Sequence, residues 1–323
     1  MNFYRLVFTT KGELTRVPDA QTIFGALCTA IRMKEGHKKL EEYLNSFDEN
    51  PWFVHSSMFL DELFPPVPTP LVKLTAVQDL MSKFDKNSKL QTLSTLKQVN
   101  RYQYFSKNVF RKYVITDRLD SLSQDVLTNT VKLSTINGMN ILQYKEETQP
   151  LVDLRTFMRT QSGTLTNKTE KDLFYKPAIY VSPDTQFSVY VKSNWSAEQL
   201  RPYFSMLEYV GAGPYRSTGM NLFHLEKIEK CDIPKSSGKH DYLLSGCIPV
   251  EGEFDFEDSA YKIDSNVFHG SFAVVQHSIT GTFTKLKEGS MMKPTKKKEW
   301  YGQMLKLKVN GKEIYHYGLG VVA

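Results

Sequence analysis

The sequence predicts an α+β chain. A ferredoxin-like β-α-β-β-α-β domain carries a large helical insertion, and a second, mostly β domain follows, readable as a degenerate ferredoxin-like copy or as an embellished sheet. Three observations predict it. An alternating segment at residues 2–10 precedes an amphipathic helix; period-two alternation returns at residues 174–192; and a helix opening at Ser196 stops at Gly211 before another strand at residues 221–228. The predicted domains are 1–230 and 231–323, with the insertion at about 50–150 and a projecting hairpin at about 154–193.

Taken in order, Val7 and Phe8 sit centrally in the first strand. Asp19 has the side chain of an N-cap, and Ile23, Phe24, Leu27, Cys28 and Ile31 fall on one face of a helix running to about Lys34. A second helix, 38–47, carries Leu40, Tyr43, Leu44 and Phe47. Pro51, Pro65, Pro66, Pro68 and Pro70 forbid a regular helix over 50–74, so its Phe and Leu residues predict an ordered, packed loop. Residues 75–150 read as polar, irregular helix. Phe187, Val189 and Val191 alternate with Ser188, Tyr190 and Lys192 as a hairpin strand, whose partner includes 154–158, while the polar stretch 161–172 is the exposed tip. Ser196 and Glu198 begin a helix with Leu200, Tyr203, Phe204 and Leu207 on one face. The remainder predicts strands at 242–250, 268–275, 305–309 and 314–322.

The chain has 323 residues, 41% hydrophobic and 12% aromatic, which supports a core and excludes wholesale disorder. Mean hydropathy is −0.38, and no apolar run approaches the roughly 18 residues a membrane span needs. The alternating N-terminus does not read as a signal peptide. Cys28, Cys231 and Cys247, odd in number and without a C-x-x-C pair, argue against a disulfide framework or a structural zinc and predict a reduced, cytoplasmic protein. Without a secretory route, the glycosylation triplets at Asn167 and Asn194 carry no meaning.

Net charge is +6, and local clusters say more. Lys107, Arg111 and Lys112 lie among Tyr102, Tyr104, Phe105, Phe110 and Tyr113, and residues 293–298 place lysines beside Trp300 and Tyr301. Such mixtures suit single-stranded nucleic acid, since cations meet phosphates and rings stack on bases. Taken singly, each cluster reads more readily as a solvated face over core aromatics.

The most informative segment is Val210-Gly-Ala-Gly-Pro-Tyr-Arg-Ser-Thr-Gly-Met-Asn-Leu-Phe, between the second helix and the last strand. Gly211, Gly213 and Gly219 permit positive φ and close backbone approach, and Arg216, Ser217 and Thr218 supply one charged donor and two hydroxyls. A nucleotide P-loop is excluded because Met220 follows Gly219, and a dinucleotide fingerprint because Arg216 stands at the third glycine. Gly211 alone would explain a helix stop; three glycines with Arg-Ser-Thr point to a ligand.

This loop resembles the glycine-rich loop of RAMP proteins, the RRM-like RNA-binding subunits of CRISPR effector complexes, and more specifically of the Cas-five-like subunit of the type III-A Csm complex. The opening Phe-Tyr-Arg-Leu-Val-Phe strand, Asp19-Ala-Gln-Thr-Ile-Phe-Gly-Ala-Leu-Cys, Ser56-Ser-Met-Phe with Leu63-Phe-Pro-Pro-Val-Pro-Thr-Pro, and Lys312-Glu-Ile-Tyr-His-Tyr-Gly are similar to the family in the same order. Pro214 and Asn221 depart from it, standing where glycines are usual. The resemblance implies a noncatalytic subunit without cofactor or metal. Its expected partners are the repeat-derived 5′ tag of crRNA, the large palm-domain subunit and a backbone RAMP subunit. It further implies that the hairpin is a thumb with Arg155 and Arg159 at its base, and that Gln21 and Thr22 lie at a helix N-terminus suited to phosphate.

Two other classes compete. A Cas-six-like, metal-independent RNA endonuclease shares the fold and needs a histidine general acid or base, for which His37 is the candidate in place. His55 reads as structural and His316 as half buried. His240-Asp241 has no surrounding His/Asp set, and His224-Leu-Glu lacks the Pro-Cys-x-x-Cys of zinc deaminases. A protein-only scaffold is the third class, with the acidic stretch 251–258 facing solvent or another subunit.

Overall fold

The computed structural model describes residues 1–47, 50–69, 94, 99–148, 152–163, 172–269, 279–309 and 312–323. The chain opens with β1 (Asn2–Thr10), α1 (Ala20–Glu35), α2 (His37–Ser46) and β2 (Phe53–Leu60). Next come β3 (Tyr104–Phe105), a short α3 (Lys107–Val109) running into a π-turn at Phe110–Val114, α4 (Leu119–Leu127), β4 (Val131–Ile136) and β5 (Met139–Tyr144). A hairpin of β6 (Leu154–Gly163) and β7 (Asp172–Val181) precedes β8 (Phe187–Ser193), α5 (Ala197–Phe204), α6 (Leu207–Val210) and β9 (Phe223–Lys230). The C-terminal part is β throughout: β10 (Asp241–Tyr242), β11 (Phe254–Ala260), β12 (Ile263–His269), β13 (Ile279–Leu286), β14 (Met291–Pro294), β15 (Trp300–Gly302), β16 (Leu305–Val309), β17 (Lys312–His316) and β18 (Leu319–Val321).

The central sheet runs β2-β8-β1-β9, antiparallel throughout, with Leu6 opposite Val189 and Ile228. Local signals place its helices. Asp19 caps α1 by accepting the Thr22 N–H at 2.9 Å, and Ile23, Phe24, Leu27, Ala30 and Ile31 form the buried stripe. Ser196 and Gln199 close a capping box on α5, where Leu200, Tyr203 and Phe204 are buried. Tyr43 on α2 anchors an aromatic cluster with Phe47, Trp52 and Phe53, ring centroids 5.0–5.4 Å away.

Several expectations are corrected here. Residues 53–60 are not loop but a fully buried strand at the sheet edge. Buried on both faces, Phe-Val-His-Ser-Ser-Met-Phe-Leu shows no alternation, so period two was absent. The insertion is not simply helical either: β4 and β5 form a hairpin on a sheet of order β3-β5-β4. Its turn is Asn137-Gly138, both with positive φ (48° and 82°), the signature of a two-residue hairpin. The hairpin expected at 154–193 is β6 with β7 alone, in register from Leu154 opposite Val181 to Gly163 opposite Asp172, whereas Phe187–Ser193, expected as the partner of 154–158, pairs with β1 and β2 in the central sheet; most of the predicted tip lies outside the described residues. In the C-terminal part 305–309 is a strand as expected and 314–322 divides at Gly318 into β17 and β18. The predicted strand at 242–250 shrinks to β10, and most of 268–275 lies outside the described residues.

The sheet face turned away from α1 is closed. Phe59 and Tyr190 pack there against Phe64, which stacks on Phe110 at 3.9 Å, and Tyr242 meets Phe110 edge-on. An RRM stacks bases on this face; in this chain its own aromatics fill it. Arg5, buried in the same sheet, is held by Ser188, Asp61 and Glu229.

Tyr317 runs across the boundary expected at 230. Its ring stacks on His55 at 4.5 Å, its hydroxyl accepts the His55 N–H (2.8 Å) and donates to the His55 carbonyl (3.0 Å), and its own N–H donates to Gln21 Oε1. Tyr242, Leu244, Leu319 and Val321 belong to the same core as Leu6 and Phe24.

Burial of the neutral imidazole pushes His55 down to about 4, and His316 likewise to about 4. The unfolded chain takes up protons near pH 6.5, so their contribution is complete above that value and is lost as pH falls towards 4. His240 opposes this: Asp117 and the Asp258 carbonyl outweigh burial and raise it, so its contribution is present at low pH and lost as pH rises. Two depressed histidines outweigh one raised. Urea unfolding is expected to show stability about 2 kcal/mol lower at pH 5 than at pH 7.5; stability flat across that window would contradict the burial of neutral His55.

Candidate nucleic-acid interface

The glycine-rich loop turns out of α6 at Gly211 (φ +64°), passes Gly213 (φ +139°), makes a 3-10 turn at Arg216–Thr218 and leaves through Gly219 (φ +82°). Added Cβ atoms at Gly211 and Gly213 would lie 2.8 Å from Arg216 Cβ and 3.1 Å from the Asn221 side chain, so both glycines are required by space as well as by φ. Residues 214–219 are exposed. Arg216, Ser217, Thr218 and Gly219 therefore stand together on one projecting turn, as the sequence predicts.

Asn221 is the residue that shapes this loop. It takes a left-handed conformation (φ +56°), which asparagine tolerates better than most residues, and it is fully buried. Its Nδ2 donates to the Pro214 carbonyl (2.6 Å) and its Oδ1 accepts the Thr15 N–H (2.9 Å). Its backbone accepts from Ala212 and donates to Glu13, at 2.9 Å each. The Asn221 side chain thus ties the loop to residues 13–15.

Those residues form a seam. On one side Lys11 N–H donates to the Leu222 carbonyl (3.0 Å); on the other Leu14 and Ile179 exchange both backbone bonds, at 3.0 and 2.7 Å, joining the seam to β7. The glycine-rich loop and the hairpin base are thereby neighbours through one five-residue segment. Exposed around it are Arg16, Arg216 and Arg155, with Lys11 paired to Glu208 at 3.2 Å and Arg155 to Asp153 at 3.2 Å. Arg155 lies opposite Tyr180, which is 48% exposed. Arg159 sits opposite Lys176 in the ladder, and its side chain lies outside the described residues. Gly12 closes the seam: a Cβ there would come 2.7 Å from the Gly219 carbonyl oxygen. Gly12→Ala is expected to push the loop outward, lowering the melting midpoint by several degrees and weakening any loop ligand; an unchanged melting curve would refute the contact.

The α1 N-terminus is closed by its own side chains. Ala20 N–H donates to Ser57 Oγ (3.1 Å), Thr22 donates to Asp19, and Arg16 reaches the Thr22 hydroxyl at 3.2 Å. Burial would raise the Asp19 carboxyl, but Thr22 and the nearby Lys285 ammonium hold it below its ordinary value. Gln21 spends its Oε1 on Tyr317, and the Thr22 hydroxyl donates to Asp19. Both expected phosphate contacts are therefore engaged within the protein, as is the Thr218 hydroxyl, which donates to the Tyr215 carbonyl, while Arg216, Ser217 and the Asp153-paired Arg155 are exposed.

Most cations of both basic clusters are paired with carboxylates. Lys107 pairs with Glu62 and Asp232, Arg111 with Asp232 and Lys112 with Asp125, over buried Phe105, Phe110 and Tyr113. Lys293 pairs with Asp255 and Asp258, and Lys298 with Glu253, so the acidic stretch 251–258 compensates the lysine run rather than standing apart. His37 is exposed beside Glu41, His224 bonds Glu208, and His240 bridges Asp117 and Asp258. Burial pushes the Cys28 and Cys231 thiols up to about 12. Among the described residues no group of three or more His, Cys, Asp or Glu side chains is arranged to hold a metal ion. Gly12, Lys11, Arg16 and Tyr180 were missed by sequence reasoning, because a seam between segments 165 residues apart leaves no periodic signal; Tyr215 stands inside the glycine-rich segment, where only its left-handed backbone singles it out.

No family model and no curated protein matches the chain. Solved structures do. The chain superposes on a chain of the Csm3-Csm4 subcomplex of the type III-A CRISPR-Cas interference complex, with TM-score 0.62 and 14% identity over 100% of this chain and 98% of that one. It also superposes on a chain of the Csm1-Csm4 cassette in complex with pppApA, with TM-score 0.56 and 16% identity over 100% and 97%. A cassette structure with cA4 gives 0.53 and 18% over 99% and 96%. Csm4 is the component these assemblies share. The chain has a Csm4-like fold. The likeness to the Csm3-Csm4 structure extends over the whole length of the chain. No helix among the described residues is long and apolar enough to cross a membrane.

Proposed function

We propose that the chain is the noncatalytic, RNA-binding subunit of a cytoplasmic type III-A CRISPR (Csm) effector complex. It holds the repeat-derived 5′ tag of crRNA and joins the large palm-domain subunit to a backbone RAMP subunit. We read β1, β2, β8 and β9 with α1 and α5 as its ferredoxin-like unit. The observation that carries the reading is the continuous surface of glycine-rich loop, seam and hairpin base, on a fold that matches chains from both Csm1-Csm4 and Csm3-Csm4 assemblies over its full length.

The chemistry suits a guide held without being cut. The exposed Arg216 guanidinium and Ser217 hydroxyl, with Arg16 and Arg155, meet phosphates, while projecting aromatics take unpaired bases. A buried His55 stacked on Tyr317 and a His240 bridging Asp117 and Asp258 support the noncatalytic reading, and His37, exposed beside Glu41, is the histidine an endonuclease would use. The test is an affinity-tagged pull-down from the native host, sequencing RNA 5′ ends and identifying co-purifying proteins. A uniform, short repeat-derived 5′ end with large and backbone subunits is expected. Partners without RNA would leave only a scaffold, and repeat RNA shortened by the purified chain in EDTA would favour the endonuclease.

A further inference from the structure

Six non-glycine residues among those described have left-handed backbones: Asp61, Asp117, Asn129, Asn137, Asn221 and Tyr215. Five are Asp or Asn, whose short polar side chains adopt this conformation at little cost. Tyr215 (φ +59°) is the exception, a bulky ring where glycine would be cheaper. The ring does not offset that cost by burial, because Tyr215 is 51% exposed. Its conformation is nonetheless enforced: Asn221 holds the preceding Pro214 carbonyl at 2.6 Å, and the Tyr215 carbonyl accepts both the Thr218 N–H (3.0 Å) and hydroxyl (2.8 Å). Strained backbone at a half-exposed aromatic is the kind of feature that clusters at ligand-binding sites. Beside it in sequence stands exposed Arg216, and Tyr209, 74% exposed, lies on the helix leading into the loop.

We propose that Tyr215 is a base-stacking platform: its ring takes the face of one unpaired nucleobase, and Arg216 meets the phosphate next to it. The inference rests on the RNA-binding reading above and adds the point at which a base is gripped. Stacking of this kind accepts any base but requires a free face, so the site prefers single-stranded RNA over duplex.

The test uses the full-length chain, a fluorescein-labelled unstructured single-stranded RNA, and melting curves of the same samples. Tyr215→Gly relieves the strain and removes the ring, so affinity should fall roughly tenfold to a hundredfold while the melting midpoint stays level or rises. Tyr215→Phe should bind like the parent. Abasic substitution along the RNA should weaken parent binding at one position, and Tyr215→Gly should be indifferent at that same position. Equal binding by Tyr215→Gly and the parent would overturn the proposal, as would a Phe variant as weak as Gly, which would assign the contact to the hydroxyl. A folded parent that binds no single-stranded RNA would instead overturn the RNA-binding reading itself.

Discussion

Replacing Arg216 by Glu and Gly219 by Asp together is expected to release the RNA 5′ end while the protein stays folded. Arg216 is exposed on the 3-10 turn, so its reversal turns an attraction for phosphate into a repulsion. An added Cβ at Gly219 meets nothing within 4 Å, so the second change costs only the left-handed backbone, on the order of 1 kcal/mol, a cost Asp bears better than most residues. Affinity for single-stranded RNA should fall on the order of tenfold to a hundredfold, and the slope of log affinity against log salt should shrink by about one. Equilibrium binding at several salt concentrations, with a melting curve as control, reads both. Wild-type retention of RNA by the folded double variant would sink the interface assignment and leave the scaffold reading standing.

Truncating Tyr317 should have the largest effect on stability. Its ring is buried against His55 and Phe24, so Tyr317→Ala removes a large core side chain and is expected to cost about 3–5 kcal/mol. That is a large share of the 5–15 kcal/mol typical of a folded domain. Tyr317→Phe keeps the ring but leaves the buried His55 N–H without its acceptor, for a loss of about 1–3 kcal/mol. Because Tyr317 also bonds Gln21, both variants should lower the unfolding midpoint of the N-terminal and C-terminal parts together, followed by tryptophan fluorescence and far-ultraviolet dichroism. Two separated transitions, with only the C-terminal one shifted, would show that the parts fold independently.

The readable part of this fold is local in origin. Asp19, Ser196 and Gly211 mark helix ends through bonds to residues one turn away, and the stripe Ile23, Leu27, Ile31 repeats at the helical period, so short windows of sequence suffice. The Asn137-Gly138 turn was equally local; it went unread because the polar residues around it look like irregular helix. β2 is different in kind. Phe53–Leu60 is a strand because β8 supplies its backbone partners some 130 residues later, and burial on both faces erases its alternation.

For the site, the sequence by itself determined that a turn of glycines with Arg216, Ser217 and Thr218 follows a helix stop, since φ freedom and donor chemistry belong to the residues themselves. Only the tertiary structure decided which charges remain available. Lysines 293 and 298 look free in sequence, yet Asp255, Asp258 and Glu253 lie within salt-bridge distance of them. It also decided that Asn221, Gly12 and Ile179 bring the loop and the hairpin together. Ion pairs and backbone bonds between segments distant in sequence depend on the folded path of the chain, and no window of neighbouring residues contains both partners.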